Sequence, residues 1–140
     1  PDSDGPSYRL FTRQFYELVR RRLAPGGLLV VQAGGVSLDY MEVHAAVRNT
    51  LSLCFDNIRS YHTYVPSFES DWGFVVASGR EKLPDLSSDQ VDDFLGDMAS
   101  SLKFYDGQTH AGMFYLPKDI RDALRRDTTI IEDDRPLSVY

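Results

Sequence analysis

The all-aliphatic run Leu28-Leu29-Val30-Val31, which no apolar run of the chain exceeds in length, restricts the available folds more than any other feature. It follows Ala24-Pro25-Gly26-Gly27 and gives way to Gln32. Four successive apolar residues leave no polar face. As a strand, the run therefore needs cover on both sides, as in a parallel sheet with helices above and below. It is far shorter than the roughly 18 apolar residues of a membrane span. Upstream, Thr12 is placed to cap a helix whose apolar stripe is Phe15, Leu18, Val19 and Leu23. Phe11 and Tyr16 flank that cap as a hydrophobic staple. The glycines after Pro25 close the helix.

Downstream, Ala33-Gly34-Gly35 reads as a loop. Asp39 followed by Glu42 reads as the cap of a second helix with Val43, Val47, Leu51 and Cys54 inward. On such a stripe Cys54 is a packing residue rather than a reactive thiol. Residues Asn57 to Val65, rich in β-branched and aromatic side chains, predict a strand, and Trp72 to Ala77 predict another. The six residues Pro66 to Asp71 between them are too few for a helical crossover, so the two strands are expected to pair antiparallel. Ser88 is placed to cap a third helix with Val91, Phe94, Leu95 and Met98 inward. Leu102 to Tyr105 predicts a short extended piece, and His110–Tyr115 and Lys118–Arg125 predict short helices around Pro117. The tail from Asp127 to Tyr140 has no period. This order predicts an α/β fold: the C-terminal half of a doubly wound sheet with an antiparallel hairpin at one edge. A sheet that begins with a helix leaves one edge bare, so the chain is expected to be part of a larger unit.

The net charge of −6 argues against nucleic acid as the main partner, because phosphate binding needs clustered Lys and Arg. The one basic cluster, Arg20-Arg21-Arg22, falls at a helix end, where it complements the dipole. The acidic balance is compatible with a cationic substrate. One cysteine excludes an internal disulfide framework and a multi-cysteine zinc site. The polar opening Pro1 to Pro6 has no signal-peptide pattern, and a cytoplasmic location with no membrane partner is the expectation. His44, His62 and His110 lack metal-ligand spacing, so no metal is expected. No phosphate-binding loop, G-x-G-x-x-G or G-x-S-x-G motif occurs.

Position then indicates where a ligand would bind. In open α/β sheets ligands sit outside the carboxyl ends of strands, where Gln32 and the loop from Pro66 to Asp71 fall. Gln32 either offers a donor and an acceptor to a ligand or satisfies nearby backbone groups. Phe68, Trp72 and Asp71 either form an aromatic wall with one carboxylate, suited to an alkylammonium, or pack the core.

Several strings, in order and over about nine-tenths of the chain, resemble the spermidine synthase family of polyamine aminopropyltransferases. They are Gly5-Pro6-Ser7-Tyr8-Arg9-Leu10-Phe11-Thr12 with Phe15-Tyr16; Pro25-Gly26-Gly27 through Val31-Gln32-Ala33-Gly34; and Val65-Pro66-Ser67-Phe68 with Asp71-Trp72-Gly73-Phe74-Val75-Val76-Ala77-Ser78. The last are Leu102-Lys103-Phe104-Tyr105-Asp106, His110 and Phe114-Tyr115-Leu116-Pro117-Lys118. The resemblance implies a methyltransferase-like, Rossmann-like catalytic domain, of which residues 1–140 are the C-terminal part. The N-terminal β domain and the nucleoside-binding half would be absent. It implies transfer of an aminopropyl group from the co-substrate decarboxylated S-adenosylmethionine to an amine such as agmatine, spermidine or putrescine, with release of methylthioadenosine and with no cofactor. It places Pro6 and Ser7 at the nucleoside and Gln32, Phe68, Asp71 and Trp72 in the amine pocket. Phe68 stands where many members carry tyrosine; the missing hydroxyl and the surroundings of Trp72 resemble members that take longer amines, thermospermine synthase-like enzymes included. No catalytic residue is expected in the chain. If Pro1 closes the family's D-x-x-D-P motif, the aspartate base lies just upstream, and Asp2 and Asp4 read as loop residues. The expected partners are the N-terminal half of the same protein and further copies in a homo-oligomer. The alternatives are a noncatalytic homologue acting as a partner subunit, or an S-adenosylmethionine-dependent methyltransferase on the same fold.

Overall fold

The computed structural model describes residues 6–137. A 3-10 turn, Pro6–Phe11, leads into α1 (Arg13–Arg22). Thr12 caps α1 as the sequence predicts: its hydroxyl accepts from Phe15 N at 3.3 Å. Tyr16, on the inner face, is fully buried, while Leu18 faces solvent despite its place on the expected stripe. Strand β1 spans Leu28–Gly35 and so includes the glycines that read as a loop. Helix α2 (Glu42–Ser52) begins at Met41, with no side-chain cap, rather than at Asp39. Met41 is buried in a cluster with Val36, Ala45, Leu116 and Ile120, so apolar anchoring fixes this helix start where capping chemistry was expected.

Strands β2 (Asn57–Val65) and β3 (Ser70–Ser78) form the expected antiparallel hairpin, turning through the 3-10 turn Pro66–Phe68 and the left-handed Glu69 (φ 50°). The sheet order is β1-β3-β2, antiparallel throughout the described residues. Here the parallel-sheet reading of β1 is corrected: β1 pairs with β3 in antiparallel register from Leu28 opposite Ser78 to Gln32 opposite Phe74. Its other edge has no partner strand among the described residues.

Helices flank both faces. Tyr16 of α1, with Ala46, Val47 and Leu51 of α2, joins Ala33, Val75 and Ala77 of the sheet in one core. On the opposite face α4 (Gly107–Phe114) packs over β2, with Arg59 4.3 Å above the Phe114 ring and Tyr61 5.3 Å from it. Because α4 sits over β2, the same face of β1 lies beyond its reach. Leu28 and Val30 are 56% and 52% exposed, so the expected cover on both faces is present on only one. Helix α3 (Ser88–Leu95) is capped by Ser87, one residue earlier than expected, through a capping box with Gln90. Val91 and Leu95 are buried, but Phe94 is 80% exposed and Met98 lies past the helix in a 3-10 turn. Leu102 to Tyr105 forms no strand. Helix α5 (Lys118–Arg126) places Ile120 and Leu124 on the cluster around Met41.

The tail without a period is pinned by one residue. Ile131 is buried in the main core; its N–H donates to Thr50 Oγ1 at 3.0 Å, and its carbonyl accepts from Arg13 N at 2.9 Å. Thr50→Val keeps the shape and leaves that buried N–H without an acceptor. It should lower the unfolding free energy by about 1–3 kcal/mol. Urea denaturation measures this, and early proteolytic release of the tail should accompany it. Among the described residues no helix is long and apolar enough to cross a membrane.

Candidate amine-binding site

Where β1 approaches its carboxyl end, its register with β3 slips. Gln32 faces Phe74, but the next pair is Gly35 with Trp72, so β1 carries one extra residue. Gly34 takes φ +84° at this bulge, and a Cβ there would fall 3.0 Å from Val43 of α2. The backbone demands glycine twice over, once for its left-handed conformation and once for space. A cavity of about 840 Å³ runs along the unpaired edge of β1 from Leu29 to Gly35 and reaches the hairpin end at Phe68 and Asp71.

Apolar side chains from the first turn and from α1, α2 and β1 form most of the lining, among them Leu10, Phe11, Phe15, Val31 and Val43. Gln32 stands at the mouth, exposed, and its amide makes no hydrogen bond among the described residues. Phe68, at the hairpin turn, tilts against Trp72 with ring centroids 4.5 Å apart. The Trp72 indole N–H is buried without a partner among the described residues. Among the described residues, Asp71 and Glu42 bring the only ionisable carboxylates to the lining, and no lysine, arginine or histidine lines it. An aromatic wall and two carboxylates without a cation make a container for positive charge.

Gln32, Phe68, Asp71 and Trp72, dispersed over some forty positions in the sequence, thus border one space. Ser7 does not; it is exposed in the first 3-10 turn, whose later residues Leu10 and Phe11 reach the cavity instead. The side chain of Pro6 lies outside the described residues, as do Asp2 and Asp4. Sequence reasoning missed Glu42 as a site residue, treating it as part of a helix cap. The legible signal was its place in the first turn of the helix that follows β1, beside the strand's carboxyl end.

Beneath the site, on the face covered by α2, the imidazole of His44 is buried, with Nε2 sharing a 2.9 Å hydrogen bond with Ser60 Oγ. Burial first, then the charges of Arg48 and His62, lowers its pKa to about 4. Gly73 makes room for it: a Cβ at that position would stand 2.3 Å from His44 Nδ1. His62, one strand over, brings Nδ1 to 3.4 Å from Asp71 Oδ1. Burial also raises the pKa of Cys54, whose S–H points toward Arg13 O at 3.7 Å, a packing role for this thiol. Among the described residues no group of His, Cys, Asp or Glu is arranged to hold a metal ion.

Known proteins share this architecture. A polyamine aminopropyltransferase 2 from Hyperthermus butylicus is 39% identical over 140 residues, covering 99% of this chain and 46% of its own length. A polyamine aminopropyltransferase from Sulfolobus acidocaldarius is 34% identical, with 99% and 46% covered. The chain therefore spans about half the length of the curated relatives it matches. In fold it is similar to the spermidine synthase of Thermotoga maritima, with a TM-score of 0.63, 24% identity, and coverage of 82% of this chain and 40% of that one. A spermidine synthase solved with the transition-state analogue AdoDATO gives a TM-score of 0.64 at the same identity, covering 83% of this chain and 39% of that one. Both neighbours have the Rossmann-like methyltransferase fold, so the α/β reading of the sequence stands. The spermine/spermidine synthase domain is matched over residues 1–88, more than half of the chain, and the chain belongs to that family.

Proposed function

We propose that this segment supplies the amine-acceptor pocket of a polyamine aminopropyltransferase, and that the acceptor is a longer amine such as agmatine or spermidine rather than putrescine. The observation that carries the reading is the cavity at the carboxyl end of β1, lined by Asp71, Glu42 and the Phe68–Trp72 wall and, among the described residues, by no basic side chain. Decarboxylated S-adenosylmethionine is the co-substrate, and Pro6 and Ser7 belong to the nucleoside side.

The chemistry asks two things of such a pocket. A protonated amine is no nucleophile, so the attacking nitrogen must lose its proton to a carboxylate before it displaces the thioether from the aminopropyl carbon. The acceptor's remaining ammonium keeps its charge and needs a counter-charge away from the reacting end. Asp71 meets that need, Phe68 and Trp72 cover the methylene chain, and the free amide of Gln32 orients the nitrogen near the strand end. With no hydroxyl at Phe68, the mid-chain contact is apolar, which favours the longer chain. The unpaired edge of β1 is the seat for the preceding strand of the whole protein, which brings the catalytic aspartate and the nucleoside loop. The segment is thus the C-terminal part of one catalytic domain in a cytoplasmic enzyme that assembles as a homo-oligomer.

The complete protein, given decarboxylated S-adenosylmethionine and each of agmatine, spermidine and putrescine, should release methylthioadenosine fastest with one of the first two. A strong putrescine preference would overturn the acceptor reading. Silence with every amine would leave a noncatalytic homologue, and methyl transfer from S-adenosylmethionine would establish the other chemistry. Asp71→Asn should raise the acceptor KM about tenfold, the order expected for losing one charge-assisted contact.

A further inference from the structure

We propose that His62 is a positioning residue for this pocket: its imidazole aims the Asp71 carboxylate at the distal ammonium of a di- or polyamine acceptor. The inference rests on the amine-pocket reading above and adds a residue that does not line the cavity.

Asp71 is attached to a rigid backbone but carries a loosely held side chain. Its carbonyl accepts from Val36 N at 3.0 Å, which pins the main chain across the bulge. Its side chain is 50% exposed, and among the described residues the His62 ring is the basic group within 4.0 Å of its carboxylate. A carboxylate in that position rotates freely unless a donor takes one oxygen, leaving the other to face a ligand. His62 lies diagonally across the β2–β3 pairing, opposite Gly73, on the same face as Asp71. Its side chain is only 18% exposed, and Nδ1 is buried without a hydrogen-bond partner among the described residues.

The 3.4 Å separation between Nδ1 and Oδ1 is longer than a well-formed N–H···O bond and is not aligned as one. A small turn of either side chain closes it, and contacts of this kind tighten when the ligand arrives. Two elements bring groups toward the imidazole. From α2, His44 occupies the space over Gly73 and is itself tied to Ser60, and Arg48 brings a positive charge to the same side. From β3, Asp71 is the available acceptor. If His62 Nδ1 carries the proton, leaving it unpaired costs stability, and the pocket carboxylate lies within 4 Å of it; the Nδ1 of His44 is likewise buried without a partner among the described residues.

The test uses the complete protein, with titration calorimetry and steady-state kinetics on spermidine and on a monoamine, n-butylamine, which has no distal ammonium. His62→Ala should weaken spermidine binding and raise its KM about fivefold, the size of one ordinary hydrogen bond acting through the carboxylate. The kcat should stay within about twofold, since the reacting nitrogen is at the other end. His62→Asn, which keeps an N–H near the position of Nδ1, should restore most of the affinity. In an Asp71→Asn background, His62→Ala should have no further effect, and n-butylamine should not distinguish the variants. Equal losses for the two amines, or additive effects of the two substitutions, would overturn the proposal. If His62→Ala fails to fold, the comparison of His62→Asn with His62→Gln, which moves the donor outward, decides the same point. Aminopropyl transfer that is indifferent to His62 would sink this inference alone, whereas a protein that binds neither spermidine nor agmatine would sink the pocket reading with it.

Discussion

Replacing Gly73 with alanine should cost the protein about 3 kcal/mol of stability, toward the upper end of what overpacking a core does. The added methyl would sit 2.3 Å from His44 Nδ1 and 2.3 Å from Val36 Cγ2, both on buried side chains. Neither can yield cheaply. His44 would have to give up its bond to Ser60, and Val36 is locked into the cluster with Met41 and Ile120. Gly112 of α4 provides the control, because a Cβ there meets nothing within 4 Å. Gly112→Ala should leave stability unchanged or raise it by up to about 1 kcal/mol through helix propensity. The urea midpoint should fall for Gly73→Ala and hold or rise for Gly112→Ala. Similar losses in both would mean that α4, and not the His44 seat, is sensitive to glycine replacement.

The second large effect is a loss of stability in acid. His44 takes up a proton at 6.5 when unfolded, but folded it stays neutral down to about 4, mainly because it is buried. Between those values the unfolded chain binds the extra proton and the folded chain does not, so stability falls as pH falls. The full contribution is present above pH 6.5, and about 3 kcal/mol of it is gone by the time the pH reaches about 4. His44→Gln keeps a partner for Ser60 and removes the titration. Its unfolding free energy should follow a flatter course than the wild type from pH 7 to pH 4.5, a window around the cited values. Subtracting the two curves removes the carboxylates common to both. Identical curves would show that His44 carries none of the acid sensitivity.

These two positions also mark how far the sequence could be read. The helices with strong apolar stripes, the hairpin around Pro66 and the cap at Thr12 are local patterns, and each is found where periodicity and turn chemistry put it. The misreadings have a common cause in tertiary contacts. Gly34-Gly35 looks like a loop because glycine usually marks one, yet a bulge packed against Val43 needs glycine inside a strand. Asp39 has better capping chemistry than Met41, but burial of the methionine outweighs a surface hydrogen bond. Phe94 and Met98 fit a helical stripe, but Phe94 falls on the outer face of α3 and Met98 lies past its end at Leu95, and both are exposed. At the site, Gln32, Phe68, Asp71 and Trp72 could be singled out by their places at strand ends, and the cavity supplies what a string cannot, their common border. Glu42 carried only a positional signal, as a first-turn acid of the helix after β1, and His62, a polar residue in a strand, carried none.

The grip on Ile131 has a consequence in time as well as in space. The bonds that fasten the tail join partners far apart along the chain, 81 positions for Thr50 and 119 for the neighbouring pair Gln14 and Asp133. A ribosome synthesising this segment releases the β2–β3 hairpin long before it reaches residue 131. Local strand pairing can therefore be complete while the groove between α1 and α2 still waits for its last apolar plug. During those seconds the nascent chain exposes the apolar surface that Ile131 later covers, and arrival of the stretch around residue 131 sets when α1 is held in place.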